Sequence, residues 1–83
     1  MNMLLNTLMS RQPLPTNAVD DERLAPGSVV VVRSGFGNDA PEVVTLDGFE
    51  WGGKNGRNTI DYIDKSGDGR WAYTDQIVRV ISY

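Results

Sequence analysis

The chain contains no cysteine and no histidine. Without thiols it has no disulfide scaffold and no thiolate metal or redox site, so a reducing, cytoplasmic setting is expected. Without imidazole, serine–histidine triads and histidine metal sites cannot be assembled within one chain. Long apolar runs are absent too. Met1, Met3, Leu4, Leu5, Leu8 and Met9 form a patchy opening far short of the ~20 apolar residues of a membrane span. No Lys or Arg precedes Leu4, as the n-region of a signal peptide requires, so neither anchor nor leader is expected. Positive charge is scarce: eight Lys and Arg stand against eleven Asp and Glu, a net charge of −3, which gives no surplus for non-specific duplex binding. What is present suits one small globular domain, with 83 residues, 40% hydrophobic and 23% charged.

Residues 1–23 read as a flexible tail. Pro13 and Pro15 alternate in a segment that favours polyproline II, and Asp20, Asp21 and Glu22 follow as a solvated cluster. Residues 24–83 change texture to short β-favouring runs separated by Gly, Asn and Asp, an all-β pattern. Four consecutive valines within Ser28 to Arg33 mark the first strand, and Ser34 to Pro41 a long loop. Glu42 to Trp51 forms the second strand. Apolar residues run straight through Asp47-Gly48, which predicts a glycine bulge that bends one long strand. Gly52 to Asn58 is a hairpin, Thr59 to Asp64 the third strand, Lys65 to Gly69 a turn and Arg70 to Tyr73 the fourth strand. Thr74 to Gln76 fits one 3₁₀ turn before Ile77 to Ser82. The expected architecture is a five-stranded SH3-like barrel with a flexible N-terminal tail.

The run Pro26-Gly27-Ser28 with its four valines, the long loop, the bent second strand, Trp71-Ala72-Tyr73, a one-turn spacer and Val78-Arg79-Val80-Ile81 resembles small SH3-like barrel proteins of bacteria, plasmids and phages. The resemblance covers residues 24–83 and speaks to fold more than to activity. In strand order and loose tail the chain is also similar to the plasmid-borne type II dihydrofolate reductases. Their pore-lining Val-Gln-Ile-Tyr strand has as its nearest counterpart Arg70-Trp71-Ala72-Tyr73, where only the tyrosine matches.

Several constellations invite a chemical reading. Asp64, Ser66, Asp68 and Asp75 have the spacing of a calcium loop with Gly69 at its sixth position, but strand-like flanks and Arg70 favour a hairpin turn. Gly48 to Lys54 fits half of a phosphate loop, yet Phe49, Glu50 and Trp51 are too bulky to wrap a phosphate and no Ser or Thr follows Lys54. Asp61 and Asp75 are candidates for acid–base work with nothing in the sequence to place either in an apolar pocket. No cofactor and no metal are expected. Alternation along the fourth strand puts Trp71 and Tyr73 on the face opposite Arg70 and Ala72. Aromatic rings there either fill a small core or form a docking platform.

These readings lead to a non-enzymatic binding module that docks on a protein partner, an accessory or inhibitory protein of a phage or mobile element. Its candidate binding residues are Trp51, Lys54, Arg57, Tyr62, Arg70, Trp71 and Tyr73. Two other classes stay open. One is a homo-oligomeric enzyme with a shared pore lined by Trp71 and Tyr73. The other is a single-stranded nucleic-acid binder using Lys54, Arg57 and Trp51.

Overall fold

Valine loses χ1 freedom in a helix and packs well on a pleated surface, so a run of four settles as a strand. The computed structural model describes residues 19–83. In it β1 spans Val29–Arg33, β2 Pro41–Lys54, β3 Arg57–Ile63, β4 Gly69–Tyr73 and β5 Ile77–Ser82. A single helical turn, α1, covers Ser34–Gly37, and 3₁₀ turns cover Asp21–Arg23 and Thr74–Gln76. The strands form one antiparallel sheet in the order β4-β3-β2-β1-β5. The all-β class and five strands agree with expectation. β4 and β5 are the two edges and do not pair with each other, so the hydrogen-bonded sheet is open. Among the described residues no helix is long and apolar enough to cross a membrane.

The 14-residue β2 serves two neighbours. Its first part pairs with β1, from Val29↔Thr45 to Arg33↔Pro41, and its second with β3, from Leu46↔Tyr62 to Lys54↔Arg57. The register shifts between Leu46 and Gly48, so the expected bulge at Asp47-Gly48 is present and bends the strand. The following hairpin is tighter than expected. β2 continues past Trp51 to Lys54, and the turn shrinks to Asn55 and Gly56, with φ of 53° and 72°. Two left-handed residues are what a twisted two-residue hairpin demands, and Asn-Gly supplies them at least cost.

Alternate residues face inward. Val30 and Val32, Val44 and Leu46, Ile60 and Tyr62, Ala72 and Ile77 form one buried cluster with Leu24. Burial of each valine, leucine or isoleucine contributes about 1.5–3 kcal/mol. The expected tail lies mostly outside the described residues. Its last residues, 19–23, rest on the sheet: Val19 packs against the core, the Asp20 amide donates to the Tyr83 hydroxyl at 2.9 Å, and the Arg23 guanidinium sits 4.2 Å from the Tyr83 ring centroid. The Asp21 carboxylate accepts from Asn58 Nδ2 at 2.8 Å and Thr74 Oγ1 at 3.0 Å.

Tyr62, a candidate docking residue by sequence, is 1% exposed. Its register opposite Leu46 and Arg70 points it to the core, and its hydroxyl hydrogen-bonds the buried Ser34 hydroxyl of α1. It is a core residue that holds a loop and presents no surface to a partner. Tyr62→Phe strands the Ser34 hydroxyl in an apolar setting, and urea denaturation is expected to register a loss of about 1–3 kcal/mol.

Candidate functional site

Because Ala72 belongs to the core, the pleat sends its neighbours Trp71 and Tyr73 to the outer face of β4. Opposite them on β3 lie Asp61 and Thr59, and opposite Thr59 on β2 lies Glu50. This outer face is nonetheless partly covered, with Tyr73 at 6% and Thr59 at 2% exposure. The β2–β3 hairpin provides the cover. Gly53 passes so close to Thr59 that a Cβ there would meet its hydroxyl, the Arg57 guanidinium lies 3.5 Å from the Tyr73 ring centroid, and Asn55 Nδ2 donates to the Tyr73 hydroxyl at 2.8 Å. The Lys54 ammonium sits 4.8 Å from the Trp71 ring centroid. Cations on ring faces are held by the aromatic quadrupole, at about 0.5–1 kcal/mol when exposed.

α1 supplies a residue that sequence reasoning passed over as a ligand. Gly35, Phe36 and Gly37 have φ of 62°, 56° and 92°, three left-handed residues in succession. Such backbone costs a non-glycine residue of order 1–3 kcal/mol. Phe36 adopts it and leaves its ring 73% exposed, 6.0 Å from Trp71 and 6.5 Å from Tyr73, while Trp71 and Tyr73 meet edge to face at 5.1 Å. Ser34, tied to Tyr62, fixes one end of the turn, and Asn38 and Asp39 amides donating to Gly35 and Ser34 carbonyls close the other. Between this loop and β4 lies a groove of about 320 Å³ lined by Gly35, Phe36, Gly69, Arg70, Trp71 and Gln76. The signal in the sequence was Gly-Phe-Gly, an aromatic ring in a loop whose glycines suit neither strand nor helix.

Arg70 enters the groove from the other face of β4. Its guanidinium lies 3.3 Å from Asp64 and 3.9 Å from Asp39. Asp64 shapes the β3–β4 turn: one oxygen accepts the Ser66 and Asp68 amides, each at 2.9 Å, and the other faces Arg70. The Asp68 amide above all, then the Ser66 amide and Arg70, hold its carboxyl below the ordinary 3.8 against the opposing effect of burial. These oxygens serve the turn, and Asp75 is paired with Arg57 at 2.5 Å, so the calcium-loop spacing corresponds to a hairpin. Among the described residues no group of three or more acidic side chains is placed to hold a metal ion. The half phosphate loop, Gly48 to Lys54, is the second part of β2. Asp61 and Asp75 are both exposed, and neither sits in an apolar pocket.

Of the seven residues singled out by sequence, Lys54, Arg57, Arg70, Trp71 and Tyr73 converge. Trp51 does not. It packs edge to face on Phe49 at 4.9 Å, on the side of the ribbon opposite Glu50 and Thr59, with 62% of its surface exposed. Comparison with known proteins finds no matching family model, no matching curated protein and no matching solved structure.

The Asp64 turn yields a pH prediction. A carboxyl whose folded pKa is depressed adds stability that is present above its unfolded value and lost as pH falls through the lower folded value. Urea midpoints of the wild type are therefore expected to drop on acidification below pH 3.8. In Asp64→Asn the drop is shallower, and the variant is already less stable at neutral pH.

Proposed function

We propose that the protein is a small SH3-like barrel that acts as a binding module without catalysis of its own, docking on an extended segment of another protein across Phe36 and Trp71. The single observation that carries this reading is the strained display of Phe36: a left-handed backbone holds an apolar ring out in solvent against Trp71, beside a groove. Strain of this kind persists where surrounding structure enforces it and is concentrated at ligand sites. Aromatic-lined grooves with a few polar groups take extended peptides, whose main chain approaches most closely where the lining residues are glycine, as at Gly35 and Gly69. The strand order β4-β3-β2-β1-β5, the bent β2 and the 3₁₀ turn before β5 support the barrel description.

The other two classes have less support. A shared catalytic pore needs Trp71 and Tyr73 bare toward a symmetry axis, whereas Arg57 and Asn55 cover Tyr73. Base stacking on Trp51 beside Lys54 and Arg57 is disfavoured because Trp51 leans the other way and Arg57 is neutralised by Asp75.

A photo-crosslinking amino acid in place of Phe36 tests the docking reading in cells. A discrete crosslinked species is expected at this position, weakened by Trp71→Ala, and absent when the same group replaces Ile81, which is also exposed but lies on β5. Equal crosslinking at both positions, or indifference to Trp71→Ala, rejects the groove as the docking surface.

A further inference from the structure

The tip of the β2–β3 hairpin carries a chemically labile pair. Asn55 precedes Gly56 in an exposed two-residue turn, and asparagine is among the thermolabile residues. Glycine has no side chain to hinder its backbone nitrogen from reaching the Asn55 side-chain carbon. Attack forms the N–Cγ bond of a five-membered succinimide and breaks the Cγ–Nδ2 bond, the nitrogen leaving as ammonia with the proton given up by the Gly56 amide. Water then opens the ring at one carbonyl to give aspartate or at the other to give isoaspartate.

In this fold the leaving nitrogen is held. Asn55 Nδ2 donates to the Tyr73 hydroxyl at 2.8 Å, and the Tyr73 ring is itself pinned beneath Arg57. Swinging the carboxamide toward the Gly56 nitrogen breaks that bond. The other asparagines of the folded part sit differently. Asn58 is followed by β-branched Thr59 and is bonded at both ends of its carboxamide, giving to Asp21 and accepting from the Gly52 amide at 2.9 Å. Asn38 is followed by Asp39, whose side chain hinders the approach.

We propose that Asn55 is a modification site that deamidates spontaneously at a rate set by its hydrogen bond to Tyr73, and that the isoaspartate product uncovers the aromatic face. Isoaspartate adds a methylene to the main chain of a turn that tolerates only two left-handed residues, so the Lys54↔Arg57 pairing that flanks it loses register. Those two residues carry the cations over Trp71 and Tyr73, and they leave the rings when the pairing slips.

The full chain, aged in mildly alkaline buffer, is followed by peptide mapping, which reads the replacement of NH₂ by OH and separates isoaspartate from aspartate. Asn55 is expected to convert faster than Asn38 or Asn58. Tyr73→Phe keeps the ring, removes the acceptor and speeds Asn55 alone by roughly 2- to 10-fold, the factor that a net hydrogen bond of ~0.5–1.4 kcal/mol represents. In a Trp51→Phe background Trp71 is the remaining tryptophan, and its quenching by acrylamide is expected to rise with isoaspartate content. Conversion of Asn55 no faster than the other two overturns the site, and an unchanged rate in folded Tyr73→Phe overturns the gating. Should that variant unfold, Asn55 conversion in the native chain no slower than in the urea-unfolded chain overturns the gating, and quenching that does not rise with isoaspartate content overturns the uncovering.

Discussion

Because β2 changes direction at Asp47-Gly48, one strand hydrogen-bonds β1 along its first part and β3 along its second, and two small ribbons share a single core. A straight strand of 14 residues would project half of its length away from Val30, Val32 and Leu24. The bulge also reverses which residues face inward beyond it: Leu46 is inside, and after the extra residue Phe49 takes up the inward role opposite Ile60. A close approach follows from the same register. At Gly48 a Cβ would lie 3.2 Å from an Asp61 carboxylate oxygen, so glycine suits both the bend and the crossing.

The bend carries the β2–β3 hairpin onto the outer face of β4, and that placement gives the aromatic cluster its cover. Core and surface are thereby linked. Tyr62 anchors the loop that holds Phe36 through Ser34, and Gln76 ties the end of β4 to β1 by accepting the Tyr73 amide and donating to the Arg33 carbonyl, at 2.9 and 2.8 Å. The groove between Phe36 and Trp71 therefore has walls fixed to the most buried part of the molecule. Its conformation is set by these ties within the fold, so the docking proposed for it carries little of the ordering cost that a loose loop would impose.

Much of this was legible in the sequence, because strand identity depends on local patterning. The valine run, the bulge at Asp47-Gly48, Trp71-Ala72-Tyr73 and the 3₁₀ spacer each declare themselves through residue type and alternation. Legibility failed where position depends on pairing with distant strands. Tyr62 and Tyr73 look alike in sequence and both are buried, but one faces Ser34 in the core and the other lies beneath Arg57 on the outer face, a difference of one step in the pleat. Trp51 stood close to Lys54 in the chain, but a separation of three residues puts the two on opposite faces of β2, with Lys54 on the side of Glu50 and Thr59. Phe36 was hidden for a different reason: nothing in a residue's type announces that its backbone is left-handed.

The handedness of α1 reaches beyond the display of one ring. A mirror-image residue takes up positive φ as readily as an ordinary one takes up negative φ, and Gly37, at φ 92°, has nothing within 4 Å of the place where an ordinary residue's Cβ would stand. The demand at Gly37 is therefore one of backbone conformation, and a residue of mirror-image configuration meets that demand without the penalty an ordinary one incurs. At Gly35 the same space is closed, since the Asp39 carboxylate lies 2.9 Å away on the side an L-residue would occupy. The two glycines thus differ in what an ordinary side chain would violate: at Gly37 the backbone alone, at Gly35 the backbone and the space beside it.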